Sequence, residues 1–587
     1  MAIGSALTVF LISTSYSQII ELFPNGGGGY LVASKLLSPS MGVVSGCALL
    51  IDYVLTISIS IASGTDAIFS FLPTTWLHYK LGFAVCGVLL LTIMNLRGVK
   101  ESVIPLVPIF MVFLLTHAFV IIYALVAHSG NFSEVLHSTT ADIHAARSEM
   151  GLAAMIFLIL RAYSMGAGTF TGIEAVSNGL PILREPKVKT GKSTMRYMAF
   201  SLAFTVMGLM VAYLLFGVHP AEGKTLNAVL FGQIAKDWGH GGYIFILVTL
   251  ISEALLLFIA AQAGFLDGPR VLSNMAVDRW FPSRFAMLSD RLVAQNGVLW
   301  MGLAALVTLI LTRGSVRFLV VLYSINVFIT FCLSQLGMVR HWWEVRATVR
   351  GWWRKLLING MGLCATTFIL VSVVVLKFHD GGWITIVITG SLVAVAFLIK
   401  RHYIQTAQLL KRLNSLLQEA AAFEIKKEPV LQQRDPDGKT AVLLVNGFNG
   451  LGLHTLFNVI RLFGKEFRNF VFVEIGVIDA GNFKGADEVD HLQVQITKDV
   501  DRYVSFMQSQ GCYAEGLSHI GIDVIGEAEK IAPEILERHP NAVFFGGQLV
   551  FPEETLLTRL LHNHTVFVLQ RKFYQQGIPF VILPIRV

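Results

Sequence analysis

The stretch Gly166-Ala-Gly-Thr-Phe-Thr-Gly-Ile-Glu-Ala-Val-Ser-Asn-Gly179 lies inside an apolar span that begins near Leu152. It places Gly166, Gly168 and Gly172, then Glu174 and Asn178, where a membrane helix is ordinarily apolar throughout. Glycine reaches unusual backbone angles without a Cβ clash, so three within this short stretch mark a point where a helix unwinds. Unwound backbone at membrane depth is tolerated only where it lines a cavity or binds something. A carboxylate at that depth costs about 2.5–3.5 kcal/mol on insertion scales, which makes Glu174 a candidate functional residue. Many secondary transporters build their midplane sites from such broken helices. The competing reading is a small-residue packing face with Glu174 near an interface.

Composition supports a membrane setting. Of 587 residues, 54% are hydrophobic and 14% charged, with a mean hydropathy of +0.65. Soluble domains carry about 25% charged residues. The net charge of +7 does not point to nucleic acid, because the Lys and Arg residues fall in short loops between apolar spans. Lipid is the implied surrounding. Cys47, Cys86, Cys332 and Cys364 lie in apolar spans and Cys512 in the tail, with no spacing that reads as a disulfide framework or a transition-metal site.

Runs of about 20 apolar residues predict eleven helices, near 5–23, 41–71, 81–96, 103–127, 152–178, 195–217, 242–266, 296–312, 316–339, 356–377 and 382–399. Alternate loops carry 21 and seven Lys plus Arg residues. The positive-inside rule places the richer set, and the tail, in the cytoplasm of a multi-pass protein of the cytoplasmic membrane. An odd number of spans with an inner C-terminus leaves Met1 outside, so a further helix is expected ahead of residue 1. The domain plan is a membrane domain over 1–400, a charged helix and linker over 401–438, and an α/β domain over 439–587. The last follows from strand-like runs at 441–447, 470–478, 513–519, 542–550 and 579–585 that alternate with helical stretches, the pattern of a parallel sheet.

Asp52, Tyr53, Thr56 and Ser60 form a second constellation. Asp52, Thr56 and Ser60 stand at i, i+4 and i+8, and Tyr53, Thr56 and Ser60 at i, i+3 and i+7, so their oxygens share one helical face. Hydroxyl and carbonyl oxygens replace the hydration shell of an alkali cation, and a carboxylate balances its charge. Ser and Thr bonding to their own i−4 carbonyls is the alternative for any single hydroxyl. Thr171 shares a side with Glu174, and Tyr323 and Asn326 add a phenol and an amide from the ninth span. His117, inside the fourth span, reads as a proton shuttle or, more simply, as a packing residue. Asp267-Gly-Pro-Arg270 reads as a joint where Pro269 stops a helix. No P-loop, zinc signature or hydrolase triad is present, so the reading is of a non-enzyme driven by an ion gradient.

These residues resemble the APC superfamily of transporters, and within it the potassium importers of KimA type, related to the KUP family. The resemblance is carried by Pro24-Asn-Gly-Gly-Gly-Gly-Tyr30, by Asp52-Tyr53 with Thr56 and Ser60, by Gly172-Ile-Glu-Ala-Val-Ser-Asn-Gly179, and by Tyr323 through Met338. It implies a LeuT-like inverted-repeat fold, with cation-coordinating oxygens at Tyr53, Thr56, Ser60, Thr171 and Tyr323 and Glu174 close by. It also implies a first broken helix bearing an Asp and a Tyr, which this chain does not show, and a tail resembling universal stress proteins. The tail lacks their usual nucleotide signature. Asn446-Gly-Phe-Asn-Gly-Leu-Gly452 reads as a phosphate cradle or as a tight turn. By family analogy the tail is a regulatory homodimer that reads a nucleotide. The expectation is proton-coupled potassium uptake with no bound cofactor. An amino-acid permease and a non-transporting sensor are the alternatives.

Overall fold

The structure, a computed structural model, describes residues 2–24, 26, 28–98, 103–128, 130, 132–166, 172–180, 183–289, 293–413, 432–479, 486–553, 555–562 and 564–587. The chain divides into two compact units, Met1–Leu272 with Asn296–Ala394, and Ser273–Gln295 with Val395–Val587.

The helices of the membrane part are α1 (Ala2–Leu22), α2 (Gly29–Leu36), α3 (Pro39–Phe69), α4 (Lys80–Leu96), α5 (Val103–Ala127), α6 (Phe132–Met165), α7 (Ile173–Asn178), α8 (Lys187–Leu215) and α9 (Leu226–Ile234). They continue with α10 (Gly239–Val277), α11 (Gln295–Leu311), α12 (Val316–Glu344), α13 (Trp352–Lys377) and α14 (Trp383–Leu413). Among the described residues nine helical runs are long and apolar enough to cross a membrane; α11 is a shorter apolar helix, and α13 and α14 form one run. They are joined by a wide turn over Phe378–Gly382, where Gly381 takes φ 109°. The start of α3 is set locally: Ser38 accepts from Met41 N and Pro39 occupies the first turn, where a missing N–H costs nothing.

Burial separates the helices into an inner and an outer set. Most of the apolar length of α3 and α12 is buried, whereas α4, α5 and α8 leave most of theirs exposed, as lipid-facing helices do. α12 packs on α2, α3 and α13, and α1 on α8 and α13. Buried amides and hydroxyls tie this interior together. Ser15 Oγ donates to Gln335 Oε1 at 2.7 Å, and Asn359 Nδ2 donates to Gln18 Oε1 at 2.8 Å. Polar pairs of this kind fix which helix faces meet in an otherwise non-directional interior.

Three local features differ from the sequence reading. α10 runs through Pro269 to Val277 rather than stopping there. Pro269 packs on α11, where a Cβ at Gly297 would lie 2.8 Å from its ring, so tertiary contact outweighs the helix-breaking tendency. α6 starts at Phe132, well before Leu152, and breaks direction at Gly151 with φ 77° and ψ 162°. Lys377, one of the seven basic residues assigned by sequence to the poorer set of loops, is buried, with its ammonium 3.5 Å from Ser324 Oγ.

In the second unit, β1 (Lys439–Val445), β2 (Phe467–Val477), β3 (Tyr513–Gly521), β4 (Ala542–Val550) and β5 (Phe580–Arg586) form one parallel sheet in the order β3-β2-β1-β4-β5. Both faces are covered, which is why the central strands read as nearly continuous apolar runs. α15 (Gly450–Phe463) and α16 (Ala486–Ser509) bury Leu453, Leu456, Val500 and Phe506 on one face. α17 (Val524–Arg538) and α19 (His564–Gln575) bury Ile531, Ile535, Leu569 and Phe573 on the other. The short α18 (Leu556–Leu561) precedes α19. The predicted class, a helical membrane domain followed by a parallel α/β domain, is the class found. Most of the expected 401–438 linker, residues 414–431, lies outside the described residues.

Candidate functional site

The interior of the membrane unit gathers acidic and phenolic groups that are far apart in sequence. α3 contributes Asp52 and Tyr53, both buried, with Ser60 buried and Thr56 half-buried along the same helix. Asp52 is hydrogen-bonded by the Tyr323 phenol of α12. α7 contributes Glu174, whose Oε1 accepts the Gly29 N–H at 2.5 Å, and Asn178, whose Nδ2 donates to Tyr53 Oη at 2.5 Å. The two carboxylates act on each other electrostatically, and Tyr16 of α1, fully buried, lies within reach of both.

Glycine makes this convergence possible. Gly172, preceding α7, takes φ 86°, a left-handed angle that a side chain resists. A Cβ on Gly29 would fall 2.4 Å from Thr330 Cγ2 and 2.9 Å from Glu174 Oε1, and one on Gly28 would fall 1.7 Å from Asn178 Oδ1. The backbone entering α2 therefore sits directly on the side chains of α7. Gly166 closes the end of α6, while Gly168 and Thr171 lie outside the described residues.

Sequence reasoning left Tyr16, Asn178 and Arg270 out of the site. Arg270 Nη1 donates to the Asn178 carbonyl at 3.1 Å and lies 3.5 Å from Asp267 Oδ1, and Asp267 in turn acts on Glu174 and Tyr53. The Asp267-Gly-Pro-Arg270 motif was the available signal. Its place beside α7 was hidden because Pro269 reads as a helix end. Chemically the cluster is an oxygen-rich, acidic interior. Buried carboxylates need compensation, and a dehydrated cation or a proton supplies it.

The family model described as amino acid permease matches residues 1–397, and the chain belongs to that family. It is 34% identical over 415 residues to the potassium transporter KimA of Bacillus subtilis (strain 168), a match covering 70% of this chain and 65% of that protein. The branched-chain amino acid permease BcaP of Lactococcus lactis is 23% identical over 351 residues, covering 57% of this chain and 72% of the relative. The low-affinity putrescine importer PlaP of Escherichia coli (strain K12) is 22% identical over 296 residues, covering 48% and 59%. The chain thus spans just under two thirds of the length of KimA.

Proposed function

We propose that this chain takes up potassium across the cytoplasmic membrane coupled to the proton gradient, with the cation held by oxygens of Asp52, Tyr53, Thr56, Ser60, Thr171, Glu174 and Tyr323. The observation that carries the reading is the convergence of Asp52, Glu174 and the Tyr53 and Tyr323 phenols in one buried cluster. Two carboxylates with neutral oxygens suit a small monovalent cation. The similarity to a potassium transporter supports the same choice. The loop charges favour a cytoplasmic tail, and the α/β domain is the part we assign to regulation and to pairing of two copies.

A second reading, uptake of an amino acid or amine, is favoured by the family model and by the two weaker relatives. Uptake of labelled rubidium, leucine and putrescine by cells lacking their own potassium importers separates the two. Rubidium accumulation that potassium competes away and a protonophore abolishes is expected. Accumulation of leucine or putrescine without rubidium would replace the potassium reading, and movement of none would favour a sensor.

A further inference from the structure

A second polar cluster lies where α5, α8, α9 and α10 meet, within an apolar surround that includes Val120, Ala212, Phe231 and Leu250. His117 of α5 is 2% exposed, its ring held 4.0 Å from Phe113 and 5.4 Å from Phe231, centroid to centroid. Its Nδ1 lies 2.9 Å from the Phe113 carbonyl oxygen. A carbonyl only accepts, so Nδ1 carries the hydrogen, and in the neutral ring Nε2 presents a lone pair. That Nε2 faces Glu253 Oε2 of α10 at 3.9 Å, and neither atom has another hydrogen-bond partner. The other carboxylate oxygen of Glu253 accepts from Asn227 Nδ2 at 2.9 Å, and Asn227 Oδ1 accepts from Tyr213 Oη at 2.5 Å.

A bare ring nitrogen and an ionised carboxylate, both desolvated, have nothing to offer each other. One hydrogen between them satisfies both, and unsatisfied buried groups of this kind cost about 1–3 kcal/mol each. The gap of 3.9 Å exceeds a hydrogen bond by about 1 Å. The surroundings supply no compensating charge. α5 adds Tyr123, and His128 just beyond its end lies with its ring tilted against Phe216; α8 adds Tyr213; α9 has no ionisable side chain. Asp66 near the end of α3 is engaged by Lys80 at 2.5 Å, and Glu222, Lys224, Lys236 and Asp237 around α9 are exposed. With no cation facing it among the described residues, the uncharged arrangement is the stable one.

We propose that His117 and Glu253 form a second proton site, apart from the cluster around Glu174, in which Glu253 holds one proton directed at His117 Nε2. The inference concerns proton occupancy and does not rest on the potassium reading. It gives the proton a structural consequence as well. Through Asn227 the same carboxyl anchors α9, whose leading Thr225 N–H is bound by Ser70 Oγ of the segment after α3 at 2.9 Å. Loss of the proton would set a carboxylate against a lone pair and loosen the seating of α9.

The test uses the purified full chain in lipid nanodiscs, as wild type and as Glu253→Gln. The amide reproduces the protonated carboxyl in shape, charge and donor. At neutral pH the infrared carbonyl band of protonated carboxyls is expected to lose one group in Glu253→Gln. The wild-type melting temperature is expected to fall by several degrees more than that of Glu253→Gln as pH rises from about 6 to about 9. An unchanged carboxyl band, an equal pH slope in the two proteins, or a Glu253→Gln chain that does not fold would each overturn the proposal.

Discussion

Glu174 in the membrane unit and Glu474 in the α/β unit are both buried, and each accepts a glycine N–H, from Gly29 at 2.5 Å and from Gly447 at 2.9 Å. Their company differs. Glu474 serves one turn. Gly447 takes φ 76°, Tyr503 Oη donates to its carbonyl at 3.1 Å, and Asn449 Oδ1 accepts from Gly452 N at 3.0 Å. Every one of those groups belongs to the loop after β1 or to the elements that cover it. Two amides that would face a phosphate are thus engaged by the chain's own side chains. Glu174 instead sits with Asp52, Tyr53, Tyr323 and Tyr16, delivered by three further helices. A carboxylate that locks a turn draws on its neighbourhood; Glu174 draws on the whole bundle.

The sharpest way to break that contrast is Glu174→Gln, which removes charge and keeps shape. Uptake of labelled rubidium is expected to be lost while membrane insertion is retained, whereas Glu474→Gln, in the other unit, leaves uptake within about twofold of wild type, a difference of about 0.4 kcal/mol. Equal uptake in Glu174→Gln and wild type would end the distinction. Gly29→Ala comes next. Its methyl group would press on Thr330 and Glu174, and overpacking of this kind costs about 1–3 kcal/mol, so both melting temperature and uptake are expected to fall. Thr56→Val deletes one oxygen at constant volume and branching. Loss of one ligand at about 1–3 kcal/mol weakens apparent rubidium affinity about 5- to 150-fold; unchanged affinity there and in Ser60→Ala would remove the α3 hydroxyls from the site.

The smallest effect belongs to the turn. Burial, opposed by the Gly447 N–H and reinforced by Asp499, raises the Glu474 carboxyl from 4.5 to about 7. The folded state therefore holds this proton where the unfolded chain releases it. Stability contributed by the protonated form is full below about 4.5, is lost as pH rises toward 7, and is flat above. Hydrogen exchange over residues 439–587 of the full chain at pH 5 and pH 8 is expected to show this slope in wild type and its loss in Glu474→Gln.

Much of this architecture was legible from local pattern. The apolar runs, Gly172 and the Asp52–Ser60 stripe are sequence-local, and the strand–helix alternation of the tail follows from periodicity alone. What stayed hidden was delivered by tertiary contact. Tyr16 is one phenol in an apolar run until α1 packs beside Glu174, and Glu253 gains meaning only when α10 brings it to His117. Pro269 misled for the same reason, since its packing on Gly297 is invisible to a rule about isolated helices. Gly28 and Gly29 stood out as a glycine run, but the need for them appears only in the contact with Asn178 and Glu174.

Equilibrium binding of labelled rubidium to the purified chain tests the central claim most directly. Wild type is expected to bind saturably, with potassium displacing the label and leucine and putrescine leaving it in place, and binding is expected to vanish in Asp52→Asn and Glu174→Gln while surviving in Glu474→Gln. Binding that persists unchanged in both membrane-site variants, or label displaced by leucine or putrescine rather than potassium, would contradict the account.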